Sequence, residues 1–533
     1  MPTLQENLTS SSRFLVGTEL VSVRGSMAES TAIKARMFAD ELIESPVVDW
    51  ISVTDNAGGN PQLAPIALGR PILYAGKEVV IHLTCKDLNR NRLESEAWLL
   101  NSDGFYNILA MTGDYPAVGN EGLAKPVFDI DSIGLISMLD NMNRGFDPTD
   151  AQGHSKHQQL MKTQFCIGAV TTNFKLREGE VIPQYKKLEK KVECGAQFII
   201  NQIGFDSRKI SELRLYMDQH GMRQTPLIGN VYLLSSGVVQ IFHGGKIPGV
   251  VVSHALFDLC QKHAQSPDRG RSFFAEFAAK QIAIYRGLGY RGVYLGGIHK
   301  FASIETILAI EKTFAPDDWK QFVREINFSR PGEFFYYAEN PATGLADPAK
   351  RAAAPAIASK HITANYTLSK WTHDAIFAPG TAFAKCGASV CAHSKDPLQG
   401  PKPLRLMERV SKLVLYHCKD CGDCSLPDIA FLCPESQCAK NQRNGPCGGT
   451  REGRCEVDGY GDCIWLRAYE RLKHDGHEQD LLQHVPVVQN QALRGTSAWA
   501  NNWLGRDHAA KKANGAAGEA VPTQTKPAAT KVS

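Results

Sequence analysis

Eight short apolar runs, each ending in polar residues, punctuate the first 300 residues of this 533-residue chain. They read FLVGTELV from Phe14, DWISVTD from Asp49, VVIHLTC from Val79, YNILAMTGD from Tyr106, FCIGAVTT from Phe165, AQFIINQI from Ala196, TPLIGNVYLL from Thr225 and GVYLGGI from Gly292. All are rich in β-branched or aromatic residues, the composition of buried strands. Between them lie segments with helical spacing and charged faces, such as STAIKARMFADELIES, LNRNRLESEAWLLNSD, YKKLEKKVECG and SRKISELRLYMDQHG. A doubly wound open sheet would give the same alternation, so the count of eight carries the choice. It points to an α/β fold of the (β/α)8 type, a TIM-like barrel.

Such barrels carry their chemistry at the carboxyl ends of the strands. Here those ends present Glu19, Thr54, His82, Asp114, Thr171, Gln202 and His299. Any one of them alone is equally a strand cap or a hydrogen-bonded core group. Their agreement over successive strands is what marks a site. No Walker loop or complete dinucleotide fingerprint accompanies them, and the Gly296-Gly297 pair lacks the required spacing.

The second strong feature is the cysteines. Ten of fourteen fall between Cys386 and Cys463, as Cys386-x4-Cys391, then Cys418-x2-Cys421-x2-Cys424, Cys433-Pro434, Cys438, Cys447, Cys455 and Cys463. Three sulfurs on one tight loop and a cysteine-proline step are iron–sulfur features. Cys433 nevertheless follows Cys424 by nine positions, and paired Cys-x2-Cys thiolates also suit tetrahedral zinc, so the metal stays open between the two. A disulfide-rich module would need an oxidising compartment. The start MPTLQENLTSSSR has no secretory pattern and no run of about eighteen apolar residues appears, so the expected setting is cytoplasmic, without a membrane span. A net charge of +4 gives no reason to invoke nucleic acid. The expected organisation is a barrel over 1–302, a packed linker or extension over 303–383, a cysteine-rich metal domain over 384–474 ending in the amphipathic DCIWLRAYERLK, and a C-terminal extension over 475–533, disordered after about 505.

The barrel segments resemble the methylenetetrahydrofolate reductase family. The matching pieces are GTEL around Glu19, SVTDNAG around Thr54, HLTC at His82 to Cys85, AMTGDYP around Asp114, KPVFDID, and KKVECGAQFIINQ from Lys190 to Gln202. The resemblance implies a flavoprotein, with FAD or else FMN, that interconverts 5,10-methylenetetrahydrofolate and 5-methyltetrahydrofolate by hydride transfer. It makes Glu19 the general acid that helps open the C1 bridge to a 5-iminium cation, and Asp114 the carboxylate that stabilises that cation. Thr54, His82, Gly113, Asp114, Ala169 and Lys191 become flavin contacts, and Gln202 the amide that reads the pterin. NAD(P)H or a reduced carrier would stand at the other end of the reaction, and a homo-oligomer is implied. The chain departs from familiar members at Thr112-Gly113-Asp114, at Ala169-Val170-Thr171 and at LGGIHK, where those members carry Arg-Gly-Asp, Ala-Tyr-Pro and an Asn-Arg pair.

The stretch CPESQCAKNQRNGPCGGTREGRCEV followed by CIWLRAYERLK resembles the C-terminal zinc or iron–sulfur module that accompanies some of these reductases. Its implied metal ligands are Cys418, Cys421, Cys424, Cys433, Cys438, Cys447, Cys455 and Cys463, enough for two four-thiolate sites holding zinc or [4Fe-4S]. Cys386 and Cys391 are alternatives within that set, His393 and His417 are spare, and Cys85, Cys166, Cys194 and Cys260 read as ordinary buried residues. Two competing functions share the pattern: a pterin-binding barrel that passes a methyl group to a corrinoid protein, and a non-catalytic, metal-bound docking subunit.

Overall fold

A computed structural model of the chain describes residues 2–10, 12–117, 119–145, 159–353 and 359–510. Most of the expected disordered tail, residues 511–533, lies outside them. All eight expected strands form: β1 (Leu15–Leu20), β2 (Trp50–Val53), β3 (Glu78–Thr84), β4 (Asn107–Met111), β5 (Cys166–Thr171), β6 (Phe198–Asn201), β7 (Leu227–Tyr232) and β8 (Gly292–Gly296). They pair in parallel and in sequence order, and β8 closes on β1, making a closed barrel.

The period of two in a strand sorts the side chains into two cores. Outward-facing Val16, Ile51, Val53, Ile81, Ile108, Ile167 and Val293 pack beneath the surrounding helices. Each such burial contributes about 1.5–3 kcal/mol. Inward-facing Leu15, Trp50, Val80, Leu109, Cys166, Phe198 and Tyr294 fill the barrel itself. Glycine is needed where the inner layer is crowded: a Cβ at Gly17 would lie 2.0 Å from the Trp50 ring, and one at Gly168 would lie 2.2 Å from Phe198. This plugged floor leaves room only at the carboxyl ends of the strands.

Past the barrel, helices Phe301–Glu311 and Trp319–Glu325 form where the sequence has helical spacing. An antiparallel pair, Tyr337–Asn340 with Leu345–Arg351, then packs on the barrel. It is anchored by the Glu212 carboxylate, which accepts from the backbone N–H groups of Tyr336 and Tyr337. No alternation along Leu345–Arg351 announces the second of these strands, since its burial follows no period-two pattern.

The cysteine-rich segment packs on the barrel rather than standing apart. Helix Ile464–His474 lies against helix Glu178–Glu193, with the Tyr469 hydroxyl donating to Glu178 at 2.8 Å and Lys473 paired with the same carboxylate. Asp131, which caps helix Ser132–Arg144, also accepts from the Asn444 backbone and side chain. Residues past 475 return to this segment: Asn501 donates to Gly422 O, and His508 bridges Asp423 and Asp428. No helix among the described residues is long and apolar enough to cross a membrane.

Candidate active site and cysteine pockets

The inward residues at the strand ends open into a cavity of about 310 Å³. Glu19, Thr54, His82, Gly113, Asp114, Thr171, Lys191 and Gln202 all line it. Two sequence-selected residues do not. Ala169 falls on the outward face of β5, in the barrel-to-helix core, because its neighbour Val170 takes the inward position. His299 is exposed past β8 and borders a separate groove against helix Ser30–Glu44.

Glu19 sits in β1 where its carboxyl accepts hydrogen bonds from the Gly297 backbone and the Tyr294 hydroxyl. Burial outweighs those bonds and raises its pKa from 4.5 to about 7. Tyr294 in turn shares a 2.6 Å hydrogen bond with Ser52 and stacks on Trp50, so the acid's partner is itself held in place. The approach to Gly297 depends on glycine: its φ is +71°, and a Cβ there would meet the Tyr232 ring at 2.3 Å.

His82 is buried in β3, and desolvation pulls its pKa down to about 4, so the ring is neutral at ordinary pH. Lys191 comes from helix Glu178–Glu193 and donates to Val170 O. Burial, with Lys187 nearby, lowers its pKa to about 7. Asp114 is fixed by the Gly58 N–H at 3.1 Å. Gly113, with φ +87°, turns its carbonyl toward Lys440 Nζ at 2.8 Å. Thr54 accepts from the Ser22 N–H, and Gln202 Oε1 accepts from Ile203 N–H, which leaves the Gln202 amide nitrogen toward Gly249. Buried polar atoms of lining residues that have no protein partner include His82 Nε2, Thr171 Oγ1, Thr172 Oγ1, Asn230 Oδ1 and Glu456 Oε2. Leaving such an atom unsatisfied costs about 1–3 kcal/mol, so their convergence marks a polar-edged ligand site.

The cysteine segment closes one side of this cavity, contributing Lys440, Cys447, Gly448, Gly449 and Glu456. Lys440 pairs with Glu456, and Lys175 reaches across to donate to Gly448 O and Thr450 O at 2.6 and 2.5 Å. Thr112 and Lys187 both donate to Gln442 Oε1 at 3.2 Å. Sequence reasoning missed Lys440 and Glu456. Their only local signal is an ion pair's worth of charge inside a cysteine run, and the contact that recruits them spans more than 300 residues.

The eight cysteines divide into two sets. Cys418, Cys421, Cys424 and Cys433 line one pocket with Lys412 and Arg443. Cys438, Cys447, Cys455 and Cys463 line a second, and Cys447 also faces the barrel cavity. Backbone N–H groups approach the sulfurs at 3.4–3.5 Å: Asp420 to Cys418, Gln442 to Cys438, Gly449 to Cys447 and Val457 to Cys455. Left-handed His417, Asp420 and Asn441 supply turns for this wrapping. Cys386, Cys391, His393 and His417 border neither pocket. Among the described residues no three His, Cys, Asp or Glu side chains converge tightly enough to hold a single ion. Each cysteine set instead surrounds space for a water-sized sphere, about 20 Å³. Cys85, Cys166 and Cys260 are buried in apolar cores, and Cys194 packs at the edge of one.

Comparison with known proteins gives two family matches. A model described as "Methylene-tetrahydrofolate reductase C terminal" matches residues 402–491. One described as "Methylenetetrahydrofolate reductase" matches residues 30–311. No curated protein matches the chain. Among solved structures, one similar chain is an uncharacterized protein from Clostridium thermocellum that binds two copies of 5-methyl-5,6,7,8-tetrahydrofolic acid. It is 11% identical with a TM-score of 0.41, and the match covers 58% of this chain and 97% of that one. Another is 2,3-dimethylmalate lyase, of the PEP mutase/isocitrate lyase superfamily, 11% identical with a TM-score of 0.31, covering 59% of this chain and 85% of that one. With its barrel model extending over more than half of the residues, this chain belongs to the methylenetetrahydrofolate reductase family.

Proposed function

We propose that the chain interconverts 5,10-methylenetetrahydrofolate and 5-methyltetrahydrofolate by hydride transfer at a flavin bound in the barrel cavity. The observation that carries this reading is Glu19, a carboxyl at the cavity wall whose pKa of about 7 lets it hold a proton near neutrality. Opening the C1 bridge of the substrate requires a proton at the departing nitrogen, and Glu19 would donate it. Tyr294 and Gly297 fix its direction. Asp114, held by Gly58, offers a negative charge to the iminium cation that follows. Gln202 suits the paired donors and acceptors of a pterin edge.

The orphaned His82, Thr171, Thr172 and Asn230 atoms fit a flavin's heteroaromatic edge, FAD or FMN, with Lys191 held at Val170, next to the two threonines. When bound, the flavin supplies the hydride chemistry that no side chain provides. In the cysteine segment, thiolates on zinc at about 2.3 Å would leave no room for a water-sized sphere between them. The wider pockets favour two four-iron clusters, on Cys418, Cys421, Cys424 and Cys433 and on Cys438, Cys447, Cys455 and Cys463. Lys412 and Arg443 beside the first set offset the negative charge its thiolates would carry. Metal analysis and a visible spectrum of protein purified without oxygen test the assignment. Flavin absorbance with iron supports it; flavin with stoichiometric zinc removes the cluster part; failure to take up flavin on reconstitution removes the reductase reading.

A further inference from the structure

Helix Lys402–Tyr416 is built inside out. Its buried residues are Arg405, Glu408, Lys412 and Tyr416, whereas Leu406, Val410, Leu413 and Val414 face solvent at 53–70% exposure. The orientation is locked from within: Arg405 donates to both Asp420 oxygens at 2.7 Å, and Glu408 accepts from Lys412, Ser497 and the Trp499 N–H. Rolling the apolar face inward would break this buried network. The neighbouring helix Ala364–Ile376, joined by a hydrogen bond from Asn365 to Leu415 O, adds the exposed Leu368 and Trp371. Large apolar side chains exposed in such number mark an interaction site.

We propose that this face docks a small acidic electron-carrier protein of the iron–sulfur class. The inference rests on the reading of the first cysteine set as a cluster site. A groove of about 310 Å³ runs between the helix and the cysteine loop, bordered by Leu406, Val410, Leu413, Cys418, Cys421 and Cys424. A carrier seated on the helix therefore lies against three of the four thiols. Charge selects its character: the helix and its flanks expose Lys402, Arg409 and Lys419, while the helix's one acid, Glu408, is buried, and Asp420 at the groove is taken up by Arg405 at 2.7 Å and Arg409 at 3.9 Å; Asp374 is the one exposed acid of the neighbouring helix. A second copy would set these cations against themselves. Residues 511–533 hold four lysines against one glutamate and only two valines, so the tail has neither the charge nor the apolar side chains to cover the face. A fifteen-residue helix is about 22 Å long, which matches the small interfaces of transient electron-transfer encounters. Each encounter oxidises the carrier by one electron; two encounters, with one solvent proton, balance one hydride equivalent.

The test uses the full chain purified without oxygen and, as probe, an acidic bacterial two-cluster ferredoxin. Binding at low salt, weakened at least tenfold by high salt and by Leu413→Glu or Arg409→Glu, with carbodiimide cross-links at Lys402 or Lys419, is the expected result. Iron content and flavin bleaching by 5-methyltetrahydrofolate, measured on the same variants, stay unchanged. If the chain carries no iron yet the probe binds and the variants abolish binding, the docking surface stands and the cluster reading falls. Unaltered probe binding by both variants, or none by the parent chain, overturns the proposal. Binding instead to phosphatidylglycerol vesicles, lost in the same variants, would overturn it in favour of a membrane. A dimer abolished by Leu413→Glu would overturn it in favour of a second copy.

Discussion

Replacing Glu19 by Gln isolates the cost of placing a carboxyl at the cavity wall. The group's pKa rises from 4.5 to about 7 on folding, chiefly through desolvation. Each unit is worth about 1.4 kcal/mol of differential interaction, so the rise amounts to at most about 3.5 kcal/mol. Between those two pH values the folded chain keeps a proton that the unfolded chain has released, so stability from this group falls as pH rises through the window and levels off above 7. Glutamine cannot ionise and lacks the slope. The variant should match the parent near pH 4.5 and exceed it by up to about 3.5 kcal/mol at pH 8, which corresponds to roughly 5 °C in melting temperature for a domain of this size. Urea midpoints and thermal melts of the two proteins across that range read the difference directly. Folate turnover should fall in parallel by about a hundredfold or more, the usual contribution of a general acid. A stability gap that stays constant between pH 5 and pH 8 would refute the buried-acid argument.

Other parts of the site give their own expectations. Lys191 has its pKa lowered from 10.5 to about 7, so the unfolded chain binds the extra proton between those values and stability from this group rises with pH there; Lys191→Met should flatten that rise in melts taken from pH 7 to 10. Lys440→Met strands the buried Glu456 carboxylate and should cost about 3–5 kcal/mol in urea unfolding, with most of the loss recovered when Glu456→Gln is added. Cys421→Ser and Cys455→Ser should each remove roughly half the bound metal by elemental analysis, and only the second, whose pocket shares Cys447 with the barrel cavity, should alter flavin absorbance.

The barrel was legible because its determinants are local. Each strand announces itself by composition, and the period of two then assigns Glu19, Thr54, His82 and Gln202 to the inside. The same rule, applied strictly, already places Ala169 outside once Val170 is taken as inward, so that residue's assignment came from resemblance against the pleat. His299 lies three residues beyond the end of β8, where the strand no longer directs its side chain. Lys440 and Glu456 could not be read at all, since the cavity recruits them through tertiary contacts of the cysteine segment with Gly113 and Lys175. Helix Lys402–Tyr416 inverts the usual inference from amphipathicity: its pattern is clear, but a buried ion network with Asp420 and Ser497 decides which face is inside. The cysteine spacing, ambiguous along the chain, resolves into two sets only when the fold brings Cys433 back to the Cys418–Cys424 loop.

The reductase reading is tested most directly by adding 5-methyltetrahydrofolate, without oxygen, to the flavin-loaded chain and following the visible flavin band. Bleaching of that band, with one equivalent of methylenetetrahydrofolate formed per flavin reduced, is the expected result. A flavin band unchanged by saturating 5-methyltetrahydrofolate, in protein that dithionite still bleaches, would contradict it.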